Sequence, residues 1–293
     1  MSISRRKALG RIGTLAGSTA LFGMFKGMDA ADKVLEEKGL TGRINHSVCR
    51  WPYNNIPLED LCIAANEIGI TSIELVGPDE WPLLKKYNLD CAMPWGAGLG
   101  IERGWNNPDL HDELVESFEE VIPLVAEAGF KQIITFSGNR NGIDDKTGWI
   151  NCQRGLSRIM STAEKHNVIV CMELLNSKVD HADYQCDTSK WGVELVDRIG
   201  SDHFKLLYDI YHMQIMEGDV IRTIRDYHDY FSHYHTGGVP GRNEIDETQE
   251  LYYPAIMEAI ADTGFDGYVG QEFIPTWDDP MEALNQGVRI CDV

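Results

Sequence analysis

The sequence predicts a single-domain α/β barrel with eight strands and surrounding helices, the (β/α)8 or TIM barrel. Short apolar runs typical of buried strands alternate with stretches of helical periodicity. No linker, low-complexity tract or internal repeat divides the 293-residue chain beyond its first thirty residues. The eight strand-like runs are residues 44–51, 72–77, 90–94, 132–137, 168–175, 204–209, 231–236 and 267–273.

Helices are predicted between these runs, where apolar residues recur at i, i+3 and i+4. The first begins at Pro57, since proline suits the first helical turn. Glycines such as Gly69 and Gly200 directly follow helical segments, which is typical of helix ends. The predicted helices cover residues 57–68, 79–88 (the weakest pattern), 109–128, 149–166, 188–199, 219–230 and 253–263.

An open doubly wound sheet is the alternative arrangement of alternating strands and helices. Such sheets usually carry a glycine-rich phosphate-binding turn after an early strand. The candidate segment, Gly96-Ala97-Gly98-Leu99-Gly100, lacks the required glycine spacing and lies too far along the chain. The pattern therefore favours the closed barrel.

The first thirty residues have the composition of an export signal. Arg5-Arg6 is a twin-arginine pair, and a mildly apolar run rich in glycine and alanine follows at 12–25. Paired arginines before such a run are typical of the twin-arginine export route. We expect residues 1–30 to be this signal, residues 31–293 to be the barrel, and the protein to be periplasmic, with no membrane association once the signal is removed. An amphipathic N-terminal helix is the alternative.

Composition narrows the class of function. The formal net charge of -20 is opposite to that of a surface that follows nucleic-acid phosphates, so no nucleic-acid partner is expected. The seven cysteines have neither CxxC spacing nor another regular pattern. A chain of this size does not depend on disulfides, and we expect buried, structural thiols.

Four residues competent to bind a metal lie at or near the ends of the last four predicted strands: Glu173, Asp209, His235 and Glu272. A carboxylate directly after a buried strand loses hydration unless a metal or a partner compensates. No Lys or Arg stands at these strand ends to act as that partner. In a barrel the strand ends meet at one mouth. Three carboxylates and one imidazole suit Mn²⁺, Mg²⁺ or Co²⁺.

Residues 44–293 resemble the hydroxypyruvate isomerase and ketose 3-epimerase group of xylose-isomerase-like TIM barrels. Three strings carry the resemblance: Tyr208-Asp209-Ile210-Tyr211-His212-Met213-Gln214-Ile215-Met216-Glu217-Gly218-Asp219, Val239-Pro240-Gly241-Arg242, and Asp266-Gly267-Tyr268-Val269-Gly270-Gln271-Glu272. The resemblance implies a divalent metal held by the four strand-end residues. It also implies that Glu173 and Glu272 face each other across the substrate, and that His212 and Arg242 contact substrate oxygens.

One position separates the two activities within this group. Hydroxypyruvate isomerases often carry Gln where this chain has His235, whereas ketose epimerases carry His. The surrounding sequence is similar to the isomerases, so the favoured function is hydroxypyruvate isomerase-like, with ketose 3-epimerase as the alternative. A sugar-binding protein without turnover and an endonuclease-related metal hydrolase are further alternatives.

The residue types suggest a mechanism that needs no organic cofactor. Isomerisation and epimerisation both remove a proton next to a carbonyl, which gives an enediolate. One of the two carboxylates, Glu173 or Glu272, can take that proton while the other returns it. Asn176, His46 and Trp95 are further candidates for substrate contact, because each lies near a predicted strand end. A loop-capping role is the alternative for Asn176, and packing or capping is the alternative for His46 and Trp95. The expected partner is a small sugar or hydroxy-carbonyl compound, and a homo-oligomer is possible.

Overall fold

The computed structural model describes residues 39–293, so the predicted export signal and residues 31–38 lie outside the described residues. Seven parallel strands form one sheet in the order β2-β1-β7-β6-β5-β4-β3. Strands adjacent in the sheet are consecutive in the chain except β1 and β7, whose pairing curls the sheet toward a barrel and leaves β2 and β3 at its two edges. The strands are β1 Asn45–Cys49, β2 Ser72–Glu74, β3 Gln132–Thr135, β4 Ile169–Glu173, β5 Phe204–Asp209, β6 Phe231–Thr236 and β7 Tyr268–Gln271.

The predicted strand at 90–94 is not a regular strand, although it lies where the third barrel strand belongs. Its backbone pairs with the β2 region, where Ile73 N donates to Asp90 O (3.1 Å) and Leu75 N donates to Met93 O (2.8 Å). On the other side, Ile134 N donates to Pro94 O at 3.3 Å. Pro94 has no backbone N–H to continue a ladder. The barrel is therefore completed by an irregular segment, and the prediction of eight regular strands was wrong at this one position.

Ten α-helices are described, and most agree with the predicted segments. The predicted helix at 149–166 is two helices, because residues 157–159 tighten into i→i−3 turns such as Ile159 N to Leu156 O (3.0 Å). The helices are α1 Leu58–Ile68, α2 Trp81–Lys86, α3 His111–Glu127, α4 Asp145–Leu156, α5 Met160–His166, α6 Ser189–Ile199, α7 Ile210–Met216, α8 Val220–Tyr227, α9 Tyr253–Asp262 and α10 Pro280–Cys291.

Helices α7 and α10 were not predicted, although both begin with recognisable capping signals. Asp209 caps α7 by accepting a hydrogen bond from His212 N (3.1 Å), so one carboxylate both ends β5 and starts the next helix. Asp279 caps α10 by accepting from Met281 N (2.9 Å), and Pro280 occupies the first turn. Gly69 and Gly200 end α1 and α6 with positive φ, as predicted for helix-ending glycines.

The core is formed by the strands and the inner faces of the helices. All seven cysteines are buried and free, as expected for structural thiols. Among the described residues, no helix has both the length and the apolar character that crossing a bilayer requires.

Candidate active site

Glu173, Asp209, His235 and Glu272 converge at the carboxyl ends of four neighbouring strands. Glu173 ends β4 and Asp209 ends β5, while His235 is the next-to-last residue of β6 and Glu272 directly follows β7. Asp209 is in register with His235, and His235 with Gly270, so the strand ends reach the same level of the barrel. One potential ligand atom from each of the four residues lies within 4.8 Å of all the others.

The four side chains are buried and close, yet incompletely hydrogen-bonded. His235 Nδ1 lies 2.7 Å from Glu272 Oε2 and 3.3 Å from Glu173 Oε1. Glu173 Oε1 and His235 Nδ1 nevertheless lack an aligned hydrogen-bond partner among the described residues. Buried polar atoms left in this way are costly unless another group satisfies them. Three carboxylates and one imidazole nitrogen around one point fit a divalent cation that prefers oxygen ligands.

Burial and the closeness of the carboxylates shift the pKa values of the cluster. Burial raises the pKa of Glu173, and the neighbouring charge of Glu272 raises it further. Burial also raises the pKa of Asp209, and the attraction of Arg242 only partly opposes it. For Glu272 the effect of burial is outweighed by the charges of Arg242 and His235, which hold its pKa well below the usual range. A divalent ion bound here would compensate the crowded carboxylates.

A positively charged side chain, Arg242, contacts these carboxylates, although no Lys or Arg was found at the strand ends in the sequence. Arg242, in the loop after β6, places Nη2 2.6 Å from Glu272 Oε2 and 3.3 Å from Asp209 Oδ2. Its guanidinium carbon lies over the rings of Trp51 and Tyr211, at 5.2 and 5.3 Å from their centroids. Arg242, a predicted substrate-contacting residue, therefore lies at the metal-competent cluster.

Trp51 was missed by the sequence reasoning. Its Nε1 donates a 2.7 Å hydrogen bond to Glu272 Oε1, so the two oxygens of Glu272 have different partners. Trp51 is the last residue of the predicted first strand, 44–51, and that strand-end position was the signal available for it. Its role is to fix the orientation of the Glu272 carboxylate.

His212 lies at this cluster with a defined tautomer. Asn176 Nδ2 donates to His212 Nδ1 at 2.6 Å, which leaves the imidazole proton on Nε2. That Nε2 is buried, lies 3.5 Å from Asp209 Oδ2 and has no aligned hydrogen-bond partner among the described residues. Burial lowers the pKa of His212, with Arg242 adding to the effect. His212 thus offers a neutral N–H donor at the site.

Asn176 has no hydrogen-bonding capacity left for a substrate. Its amide nitrogen donates to His212 Nδ1 and to Asp180 Oδ2 (2.6 Å). Its carbonyl oxygen accepts from the backbone N–H groups of Val179 (3.0 Å) and Asp180 (2.9 Å). The structure therefore gives Asn176 a turn-capping role, which was the alternative to substrate contact, and its side chain also orients His212.

The two remaining candidates, Trp95 and His46, lie in different places. Trp95 borders a cavity of about 390 Å³ that opens onto Glu173, Glu272 and Arg242. The other residues that border this cavity are Trp51, Leu75, Ile101, Ile134, Phe136, Leu175 and His181. His46 is the second residue of β1, and its Nε2 lies 3.8 Å from Asp292 Oδ1 near the C-terminus. It sits at the start of its strand instead of the end, so the structure does not bring His46 to the site.

The described fold and site define a barrel with an acidic, metal-competent centre at its mouth, and the fold is that of a known family. The family profile of the xylose isomerase-like TIM barrels matches residues 63–291. The chain belongs to this family.

Relatives within the family are named as isomerases and epimerases, and they place the chain in that class of enzyme. It is 31% identical over 253 residues to a putative hydroxypyruvate isomerase of Xenopus laevis, covering 85% of this chain and 78% of the relative. It is 25% identical over 254 residues to a D-psicose 3-epimerase of Enterocloster bolteae, covering 78% and 79%. The crystal structure of an AP endonuclease, family 2, from Brucella melitensis has the same fold, with a TM-score of 0.76 and 24% identity over 84% of this chain and 99% of that one.

Proposed function

We propose that this protein is a divalent-metal-dependent isomerase or epimerase that moves a proton next to the carbonyl of a small hydroxy-carbonyl substrate. The observation that carries this proposal is the convergence of four buried donors from Glu173, Asp209, His235 and Glu272 within 4.8 Å beside an open cavity. Mn²⁺, Mg²⁺ and Co²⁺ are the candidate ions, because the donor set is dominated by oxygen.

The chemistry follows from the groups around the cavity. A bound divalent cation would polarise the substrate carbonyl and stabilise negative charge on its oxygen. Glu173 and Glu272 come from strands separated by β5 and β6, so their carboxylates approach the cavity from different sides. One takes the proton from the substrate carbon, and the other delivers a proton to the neighbouring carbon or to the opposite face.

The remaining residues orient the substrate and exclude water. His212 Nε2–H and the Arg242 guanidinium supply hydrogen-bond donors for substrate oxygens. Trp51 and Trp95 form apolar walls of the cavity. A drier cavity strengthens each of these electrostatic contacts.

Hydroxypyruvate isomerase-like activity is the first assignment, since the relatives of the whole barrel include proteins of that name. Ketose 3-epimerisation is the second, and two observations favour it. His235 occupies the position at which hydroxypyruvate isomerases often have Gln. The cavity of about 390 Å³ is bordered by aromatic and aliphatic side chains beside Glu173, Glu272 and Arg242, and such apolar walls suit the carbon faces of a neutral sugar.

Metal-dependent isotope exchange is the direct test. The protein is stripped with a chelator, reloaded separately with Mn²⁺, Mg²⁺ or Co²⁺, and incubated in D₂O with hydroxypyruvate, ketoses and aldoses. Deuterium should enter the carbon next to the carbonyl only in the reloaded protein. Saturable binding of a sugar without exchange under any ion would instead identify a sugar-binding protein, and metal-dependent cleavage of a phosphodiester would identify the endonuclease-related alternative.

A further inference from the structure

A second polar cluster lies directly behind His235, on the side away from the cavity. It consists of Cys49, Glu74, His233 and His235, and is called the Glu74 cluster below. All four side chains are fully buried. Glu74 ends β2, so its carboxylate arrives from a strand on the far side of β1 and β7 from β6.

Glu74 is surrounded by groups that can donate protons. His233 Nε2 lies 3.0 Å from Glu74 Oε2 and 3.2 Å from Oε1. His235 Nε2 lies 3.0 Å from Oε1, and the Cys49 thiol donates to the same oxygen at 3.3 Å. A fully buried carboxylate is tolerated only with such compensation. Burial by itself would raise the pKa of Glu74, but His233 and His235 together outweigh it and hold that pKa far below the usual range.

The neighbouring strand leaves room for this carboxylate. A Cβ atom added to Gly270 would stand 1.9 Å from Glu74 Oε1 and 3.0 Å from His235 Cδ2. Gly270 lies two residues before Glu272 and is in register with His235. The chain thus has a glycine where any side chain would push Glu74 away from His235.

The two ring nitrogens of His235 face different carboxylates. Nε2 lies 3.0 Å from Glu74 Oε1, and when Nδ1 ligates an ion the one remaining ring proton is on Nε2, where Glu74 can accept it. The other nitrogen, Nδ1, is the one that lies 2.7 Å from Glu272 Oε2 and 3.3 Å from Glu173 Oε1. A carboxylate behind a ligating imidazole sets both its tautomer and its ring orientation.

We propose that Glu74 is a positioning residue that keeps the proton of His235 on Nε2, so that Nδ1 presents its lone pair to the divalent ion. The inference rests on the proposed function, since it assumes that an ion binds at Glu173, Asp209, His235 and Glu272. It extends that function to a residue that does not touch the cavity. His233 contributes a second imidazole, whose Nε2 lies against the same carboxylate.

The first experiment measures Mn²⁺ binding by calorimetry in the parent, Glu74→Gln and Glu244→Gln proteins. Glu74→Gln keeps the shape but replaces one acceptor oxygen with an NH₂ donor, so Mn²⁺ affinity should fall by about 10–100-fold. Glu244 is the matched control, because it is also buried but accepts from Thr276 Oγ1 and Trp277 N, both at 2.9 Å, and not from His235. Glu244→Gln should retain the parent affinity. Equal affinity in the parent and Glu74→Gln proteins would overturn the inference.

The second experiment needs no variant and reads the tautomer itself. In the parent protein loaded with diamagnetic Mg²⁺, a long-range ¹H–¹⁵N correlation spectrum should show the His235 proton on Nε2 and none on Nδ1. A proton on Nδ1 with a bare Nε2 would contradict the role given to Glu74. A parent protein that binds none of the three candidate ions would refute the proposed function instead, and the inference with it.

The number of metal ions bound per chain distinguishes the proposed role of Glu74 from a second metal site. Cys49, Glu74 and His235 also present donor atoms within 4.8 Å of one another, so they too are spaced for a metal. If Glu74 only accepts protons, Co²⁺ should bind with one equivalent per chain and without thiolate-to-cobalt charge-transfer absorption. A second equivalent accompanied by that absorption would show that Cys49 ligates an ion, and would overturn the proposal.

Discussion

Replacing Glu173 by Gln should abolish most of the turnover without destabilising the protein. Gln keeps the shape and one ligand oxygen but removes the charge and the proton acceptor. If Glu173 transfers the proton, turnover should fall by about 10²–10⁴, the usual contribution of a positioned acid or base. Bound metal should largely persist, which separates loss of proton transfer from loss of the ion.

The effect of this substitution on stability can be worked out from the cluster. The Glu173 ligand oxygen lies within 4.8 Å of those of Asp209 and Glu272. Two unit charges at that distance repel by roughly 3.5 kcal/mol at an effective dielectric constant of about 20. A protonated His235 at 3.3 Å returns roughly 5 kcal/mol of attraction on the same scale. Losing both full repulsions and this attraction gives a net gain of at most about 2 kcal/mol. The raised pKa of Asp209 and the attraction between Arg242 and Glu173 both reduce that gain.

The melting temperature of the metal-free Glu173→Gln protein should therefore lie between the parent value and roughly 8 °C above it, at about 2–4 °C per kcal/mol. Glu272→Gln is the comparison. It should lose turnover to a similar extent but also lose about 1–3 kcal/mol of stability, because Glu272 accepts from Trp51 and pairs with Arg242.

Calorimetric melting of chelator-treated protein, metal content by elemental analysis and deuterium exchange on an accepted substrate measure the three quantities. A metal-replete Glu173→Gln protein that still exchanged the substrate proton at the parent rate would refute Glu173 as the proton-transfer group. A lower melting temperature with unchanged activity per folded molecule would show that Glu173 has a structural role.

Three further outcomes are expected. Adding Mn²⁺ at a hundredfold excess over its Kd should stabilise the chelator-treated protein by about 2.7 kcal/mol, which raises its melting temperature by roughly 5–11 °C. If Mn²⁺, Mg²⁺ and Co²⁺ all left the melting temperature unchanged, the metal site would be contradicted. Gly270→Ala should lower the free energy of unfolding by about 1–3 kcal/mol or more, because the added methyl group clashes with Glu74. Gly77→Ala is the control and should change stability little, because its added Cβ meets nothing closer than 3.8 Å. Denaturant titration of both variants measures the difference. Replacing Arg5 and Arg6 by Lys should keep the protein in the cytoplasm, and cell fractionation that found the variant still exported would exclude the twin-arginine route.

The barrel could be predicted because its strands and helices differ in hydrophobic period, and because strands that alternate with helices form parallel sheets. The differences between the predicted and observed elements have local causes that hydrophobic periodicity does not reveal. Pro94 interrupts the third strand position, and tight turns at 157–159 split one predicted helix into two. The C-terminal helix α10 was not predicted, although Asp279 is a typical N-cap residue and Pro280 is typical of the first helical turn.

The site was predictable to the extent that it depends on strand ends. Glu173, Asp209, His235 and Glu272 each stand at or beside the end of a strand, and parallel strands carry those ends to one side. His46 was wrongly placed at the site, because it is the second residue of β1 and lies at the opposite end of the strand from the barrel mouth. The substrate contact predicted for Asn176 stays a prediction, and its side chain hydrogen-bonds within its own turn and to His212.

Sequence by itself determined the alternation of elements, the barrel class and the four residues that can bind a metal, because these depend on local periodicity and on position along each strand. Only the tertiary structure decided the partners of those residues. Arg242 and Trp51 reach Glu272 from loops, and Glu74 reaches His235 from a strand 161 residues earlier in the chain. Such contacts depend on strand register and loop path. A shift of one residue would turn each side chain to the opposite face of its strand, and local sequence does not specify which strand lies beside it.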